Sequence, residues 1–269
     1  MKRVFFVTFC ILALCNLLLL NTGTVNAATA SGYERTDWPT VTIPTIDGQW
    51  NDIAEWNDTD YTTIGSAVAF GSTWDTVGSS NYTRWIIEFF NDTTDDDGDY
   101  WEICLEATNS GGADIASGGV ECYRIYIEGH DTLTVYQGSL GGWAVIPGSI
   151  EGINWDNTLS ASPNGTTPHW ILEIEIMKKG ATFTPLSATY GVRVAVYDES
   201  NDTLLVWPPG AYYDIPNHWA TNTSSAEYWV PEPFSIIVVV LLSSAAVAVS
   251  FYCLRRHPKT EGYNSKKLK

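Results

Sequence analysis

Between residues 28 and 231 the chain alternates apolar and polar residues again and again with a period of two. It almost nowhere shows the apolar stripe of about 3.6 residues that marks an amphipathic helix. Alternation of this kind sends successive side chains to opposite sides of an extended strand. In Thr83 to Phe90, Trp85, Ile87 and Phe89 share a face; in Tyr100 to Ala107 it is Trp101, Ile103 and Leu105; in Tyr123 to Gly129 it is Tyr123, Ile125 and Ile127. Thr132 to Gln137, Trp170 to Ile176 and Gly191 to Tyr197 repeat the pattern, the last with Val192, Val194 and Val196 on one side. Clusters of Gly, Asn, Asp, Ser and Pro separate these runs and supply the turns. The expected fold is all-β, one antiparallel β-sandwich domain over residues 28–231.

Both ends read as membrane-directed segments. Lys2 and Arg3 precede an apolar run from Val4 to Leu20, and the small residues around Ala27 follow, so residues 1–27 are expected to be a secretory signal peptide. Phe234 to Leu254 is 21 residues without a charge, long enough for a single transmembrane helix. The basic tail, residues 255–269, belongs on the cytoplasmic side. The expected protein is therefore a single-pass membrane protein with its N-terminal domain outside, at the cell surface. Val230-Pro231-Glu232-Pro233, the apolar run and Arg255-Arg256 resemble PEP-type sorting signals, which exosortase-like or archaeosortase-like enzymes process. Such signals stop near the arginines, whereas 13 residues follow Arg256 here. A retained anchor and a segment handled by a sortase-like processing enzyme both fit.

The chain carries 31 acidic and 14 basic residues, a net charge of −17. Residues 28–231 concentrate the imbalance, with 29 acids against six bases. Nucleic acid is excluded as an expected partner, because phosphate binding needs the opposite sign. A disordered acidic tail is excluded too, since 12 Trp, 14 Tyr and 9 Phe give ample surface to bury. No HExxH, Walker loop, GxSxG or Cys/His cluster occurs, and His130, His169 and His218 stand apart in sequence. No enzyme activity is expected; an acid pair for glycoside hydrolysis would show itself only by its separation in space.

Cys104 and Cys122 are the only cysteines in residues 28–231. Cys104 shares its face with Glu102 and Glu106, and Cys122 with Arg124. An antiparallel register that sets 104 opposite 122 also sets Glu102 opposite Arg124 and Tyr100 opposite Tyr126. A Cys104–Cys122 disulfide is expected, two free thiols being the alternative. Sequons at Asn57, Asn81, Asn91, Asn164, Asn201 and Asn222 point to a glycoprotein. Within the segment Asn91 to Asp99, the eight residues from Asp92 onward hold five carboxylates. Asp92, Asp95, Asp97 and Asp99 are candidate ligands for a structural Ca²⁺, which needs several oxygens, and a solvated acidic hairpin loop is the other reading.

All 12 tryptophans lie between residues 28 and 231. Trp85, Trp101 and Trp170 fall in phase with aliphatic residues and belong to the core. Trp74, Trp143, Trp155, Trp207 and Trp219 stand in turn-rich contexts, where exposed indoles suit the apolar faces of sugar rings. Trp143, Trp207 and Trp219 are the expected ligand-binding set, because Gly141-Gly142 and Pro208-Pro209-Gly210 shape turns beside them.

The order of segments resembles a known family. Ile46-Asp47-Gly48-Gln49-Trp50 with Glu55-Trp56 looks like the opening "IDG...EW" signature of family 9 carbohydrate-binding modules and their DOMON-like relatives. Trp170 to Ile176 looks like that family's late "W-x-x-E-x-x-I" strand, and Val192 to Asp198 with Trp207 and Pro216 to Trp219 looks like its end. The resemblance implies a sandwich that binds sugars between aromatic residues and often holds structural Ca²⁺. The expected function is non-catalytic binding of poly- or oligosaccharide at the cell surface. The alternative is a structural or adhesive envelope protein that binds no sugar.

Overall fold

The computed structural model describes residues 31–225 apart from 51, 78–79, 149 and 180–183. The expected signal peptide at 1–27, transmembrane helix at 234–254 and tail at 255–269 lie outside the described residues. The described chain is a curled mixed β-sheet of 13 strands. Its helices are one turn, α1 (Ile53–Trp56), capped by the Asp52 side chain, and a 3-10 turn at Pro216–His218.

One antiparallel run comprises, in spatial order, β8 (Gly142–Val145), β7 (Thr132–Ser139), β6 (Cys122–Glu128), β5 (Tyr100–Glu106), β11 (Thr189–Asp198) and β13 (Ala220–Ser224). The other comprises β3 (Val68–Val77), β4 (Ser80–Phe89), β10 (His169–Met177) and β9 (Ile153–Ser160). β12 (Thr203–Trp207) adds to β11, and β2 (Asp60–Ile64) adds to β3. β1 (Glu34–Pro39) joins the two runs: Glu34 to Asp37 pair with β13, and Trp38 and Pro39 with β3. Both pairings are parallel, which corrects the expectation of a wholly antiparallel sheet. Neither neighbour of β1 follows it through a hairpin, so no tight turn imposes the antiparallel direction.

The curl brings the inward faces of the two runs onto one core. Trp85, Ile87, Phe89, Leu172, Ile174 and Ile176 meet Trp101, Ile103, Leu105, Ile125, Val192, Val194 and Val196 in a single cluster. Phe89 and Trp101 touch edge to face at 6.4 Å. These are the residues whose alternation defines the strands in sequence.

The other side of the sheet is covered as well. Trp50 and Trp56 pack over Ile86 and Ile171 on β4 and β10. Ile115, Ala211 and Trp219 pack over Cys104 and Cys122 on β5 and β6. Polar residues of the nominally outward parity are thereby buried, and each is matched: Glu102 pairs with both Arg193 and Arg124, and Ser162 donates to Glu88.

β5 and β6 pair antiparallel as expected, but two residues out of the expected register. Cys104 sits opposite Arg124 and Cys122 opposite Glu106. Both cysteines are buried free thiols, so the expected disulfide is corrected; burial raises both thiol pKa values and keeps them protonated. The favourable contacts behind the expected register survive diagonally, as Arg124 still pairs with Glu102 and Tyr100 lies 4.9 Å from Tyr126. Of the sequons, Asn57, Asn91, Asn164 and Asn201 are exposed, whereas Asn222 is fully buried in β13 and its side chain is bonded internally.

Asn222 belongs to the network that ties β1 to both runs. Asp37, fully buried, accepts hydrogen bonds from Ser72 of β3, Tyr190 of β11 and Asn222 of β13. Arg35 approaches the same carboxylate at 3.8 Å and lies over the rings of Phe70 and Trp85. Asp37→Ala leaves this guanidinium buried without its counter-charge, and urea unfolding is expected to show a loss of about 3 to 5 kcal/mol. A loss below about 1 kcal/mol would show that the seam does not depend on the carboxylate.

Candidate functional site

The sequence Glu34-Arg35-Thr36-Asp37-Trp38 alternates strictly. Arg35 and Asp37 point inward, while Glu34, Thr36 and Trp38 point outward from β1. β2 pairs only with β3, so it stands off β1 and leaves a groove between them. The groove holds about 380 Å³ and is lined by Glu34, Arg35, Thr36, Trp38, Asp60, Thr62 and Thr223.

Trp38 is 47% exposed, the most exposed tryptophan among the described residues. Its orientation is fixed, since the indole Nε1–H donates to Asp60 Oδ2 at 2.9 Å. Asp60 is held in turn through its backbone, whose carbonyl accepts from the Arg35 guanidinium at 2.9 Å. The groove therefore presents one oriented aromatic face, two exposed carboxylates and three threonine hydroxyls. Such a surface can stack a ring and accept hydrogen bonds around its rim.

The expected platform of Trp143, Trp207 and Trp219 is not assembled. Trp207 is 6% exposed and packs edge to face on Phe70 at 5.2 Å within the main core. Trp219 is 2% exposed, and its Nε1–H donates to the Tyr212 carbonyl at 2.9 Å. Trp143 is half-buried against the same cluster as Trp219, away from the core that holds Trp207. The physical reasons differ: Trp207 ends β12 opposite Val194 of β11 and faces the core, whereas Trp143 and Trp219 lie on the other side of the sheet, where their indoles help cover Cys104 and Cys122 instead of facing water. Trp38 carries a signal the turn argument overlooks: it shares its parity with Glu34 and Thr36, the polar side of its strand.

The family-like motif residues form a clamp. Glu173, on the outer side of β10, accepts from the backbone N–H groups of Asp47 and Gly48, each at 3.0 Å, and from the Trp56 indole at 2.7 Å. Gly48 has φ of 71°, and a Cβ there would lie 2.6 Å from the Asn157 backbone, so glycine is required. Burial foremost raises the Glu173 pKa to about 7.

Of the four expected Ca²⁺ ligands, Asp92 and Asp99 are buried and converge with His130, whereas Asp95 and Asp97 are exposed and stand outside the group. Two carboxylates and an imidazole do not make the six to eight oxygens of a Ca²⁺ shell. The hydrogen bonds also leave little to donate. Trp101 Nε1–H donates to His130 Nδ1 at 3.4 Å, and indole is a donor only, so the imidazole proton sits on Nε2 and faces Asp99 Oδ2 at 3.3 Å. Asp99 Oδ1 accepts from the Glu199 backbone at 2.8 Å. The cluster is a hydrogen-bonded chain that anchors the loop, with His130 stacked on Trp170 at 3.7 Å.

Compared by sequence, the chain matches no known family profile and no curated protein.

Asp92 is the odd member of the loop cluster. Its Oδ1 accepts from Thr94, while its buried Oδ2 has no hydrogen-bond partner among the described residues. Burial, then the neighbouring Asp99 and Asp198, raise its pKa to about 6. An acid whose folded pKa is raised holds a proton that the unfolded chain releases, so its stabilising contribution is complete near pH 4 and is lost as pH climbs. Asp92 and Glu173 act in the same direction, and stability measured by denaturant unfolding is expected to fall between about pH 4 and pH 7. Asp92→Asn mimics the protonated carboxyl; it should flatten the acidic part of that slope and stabilise the domain by about 1 kcal/mol at neutral pH. An unchanged slope in the variant would remove Asp92 as its source.

Proposed function

We propose that the domain is a non-catalytic carbohydrate-binding β-sandwich of the family 9 type, with the groove between β1 and β2 as its sugar site. The observation that carries this reading is Trp38, an exposed indole locked in orientation beside carboxylates and hydroxyls. The sugar's C–H face would stack on the indole while Glu34, Asp60 and the threonines accept or donate hydrogen bonds to its hydroxyls. The order of the Ile46 to Trp56 and Trp170 to Ile176 motifs supports the family reading. Display at the cell surface follows from residues 1–27 and the apolar run Phe234 to Leu254.

A structural or adhesive envelope protein is the competing reading, and one surface favours it. Tyr197 stacks on Tyr100 at 5.2 Å, Tyr100 meets Tyr126, and Arg124 lies over Tyr126, Tyr136 and Tyr213, a band of aromatic groups suited to protein contact.

The two readings separate on a glycan array probed with the full-length chain in a non-glycosidic detergent. For a glycan that binds, Trp38→Ala is expected to weaken affinity by about 1 to 3 kcal/mol, the range for aromatic stacking of planar ligands. Thermal unfolding should barely change, because Trp38 is half in solvent. An array without hits favours the adhesive protein, and binding that survives Trp38→Ala places the sugar elsewhere.

A further inference from the structure

The groove is more selective than a generic sugar surface, because its charge has one sign. Glu34 and Asp60 are both exposed, and among the described residues neither is in an ion pair. The one cation in the lining, Arg35, is 8% exposed. Its guanidinium is turned inward over Phe70 at 5.0 Å and Trp85 at 5.6 Å, and its charge is matched by Asp37. Among the described residues, the rim thus keeps two carboxylates that no cation pairs with.

The rest of the surface reinforces this field. Arg84, Arg193 and Lys178 are buried, Arg124 is half-buried on Glu102, and of the six bases only Lys179 is exposed. An anionic sugar approaching the groove meets repulsion from near and far. A neutral sugar meets acceptors that its hydroxyls can satisfy, with no gain from the charge. A sugar carrying an ammonium gains a charge-assisted hydrogen bond to a carboxylate and attraction to the indole face that Asp60 orients.

Resting on the carbohydrate reading of this groove, we infer that its ligand is a cationic sugar, a hexosamine with a free amine, in preference to neutral or uronic-acid glycans. The hexosamine combines in one residue the two things the groove offers to bind: an apolar ring face for Trp38 and a positive group for Glu34 and Asp60. Short ligands suffice, because the groove is about 380 Å³ and closed on one side by β1.

The test is calorimetric titration of the full-length chain with matched β-1,4 disaccharides: the glucosamine dimer, its N-acetylated counterpart, cellobiose and the β-1,4-linked glucuronic acid dimer. The pH is kept below about 7, where the amine stays protonated. The glucosamine dimer is expected to bind about tenfold or more tightly than cellobiose at low salt, with the glucuronic acid dimer weakest. That advantage should shrink as salt is raised and vanish in the double variant Glu34→Gln, Asp60→Asn. Trp38→Ala, which leaves every charge in place, should weaken all the dimers that bind. Neutralising Glu128 and Asp131, on strands away from the groove, as Gln and Asn should reduce the advantage far less than the double variant does.

Equal binding of cellobiose and the glucosamine dimer, unaffected by the double variant, would overturn the charge selection and keep the sugar site. Glucosamine binding that ignores Trp38→Ala but falls with any acid removed would reduce the effect to general attraction and overturn the inference. Failure of every dimer to bind would overturn the site itself.

Discussion

Everything in this domain hangs on the short strand β1 and the carboxylate it buries. Among the described residues β1 is the only strand that pairs with both runs of the sheet, and its pairing to each is brief: four residues to β13 and two to β3. So few ladder bonds would make a weak seam alone. Asp37 reinforces it by accepting from side chains on β3, β11 and β13 together, and Arg35 supplies the counter-charge. Because strand residues alternate, fixing Arg35 and Asp37 inward necessarily fixes Glu34, Thr36 and Trp38 outward. The groove is the outer face of the seam, so the network that closes the core also sets the geometry of the site.

Burial of the sheet on both sides explains where the positive charge goes. An acidic domain with few bases would be expected to spread them over its surface to relieve repulsion. Here Arg35, Arg84, Arg193 and Lys178 are instead buried against acids, tyrosine and serine. Loops that fold over a polar sheet face bury its carboxylates, and a buried carboxylate needs a partner. Glu102, for example, sits under the Ala211 to Trp219 segment and is met by Arg193 and Arg124. The bases are consumed inside, and the outside is left acidic. The single sign of charge on the groove is in this sense a by-product of how the second layer is held down.

For β4, β5, β6, β7, β10 and β11, strand identity was legible in the sequence because a two-residue period is a local signal; the other strands carry no such clear alternation. Trp85, Trp101, Ile125 and Val194 are core in the structure for the reason their neighbours suggest. Register was not legible. A slide of two residues between β5 and β6 preserves every parity, so alternation alone does not choose Cys104 opposite Arg124 over Cys104 opposite Cys122. Nor was the covering layer legible, since a turn rich in Gly and Pro says that the chain reverses but not whether it then faces water or folds onto the sheet. Trp219 falls on the second outcome, whereas Trp207 ends strand β12 and faces the core. Likewise Asp92 and Asp99 are brought to His130 by the packing of the loop against β6 and β11, a distant pairing that carboxylate density alone does not contain.

The motifs that suggest a family and the groove that suggests a ligand occupy different parts of the molecule. Ile46 to Trp56 and Glu173 form a closed set of hydrogen bonds on the outer side of β4 and β10, with Trp56 and Glu173 buried and no atom of the clamp in the groove lining. Residues in such a clamp are constrained by packing: Gly48 by the Asn157 backbone, Trp56 by Ile86 and Ile171, Glu173 by three donors. Glu34, Thr36 and Thr62 bear no such constraint, because they face solvent and could be exchanged without disturbing the core. A sequence pattern built on the clamp therefore reports the scaffold, and it would survive a complete change of ligand. Whatever ligand the groove takes is selected by the indole and the two carboxylates on its rim, independently of the clamp.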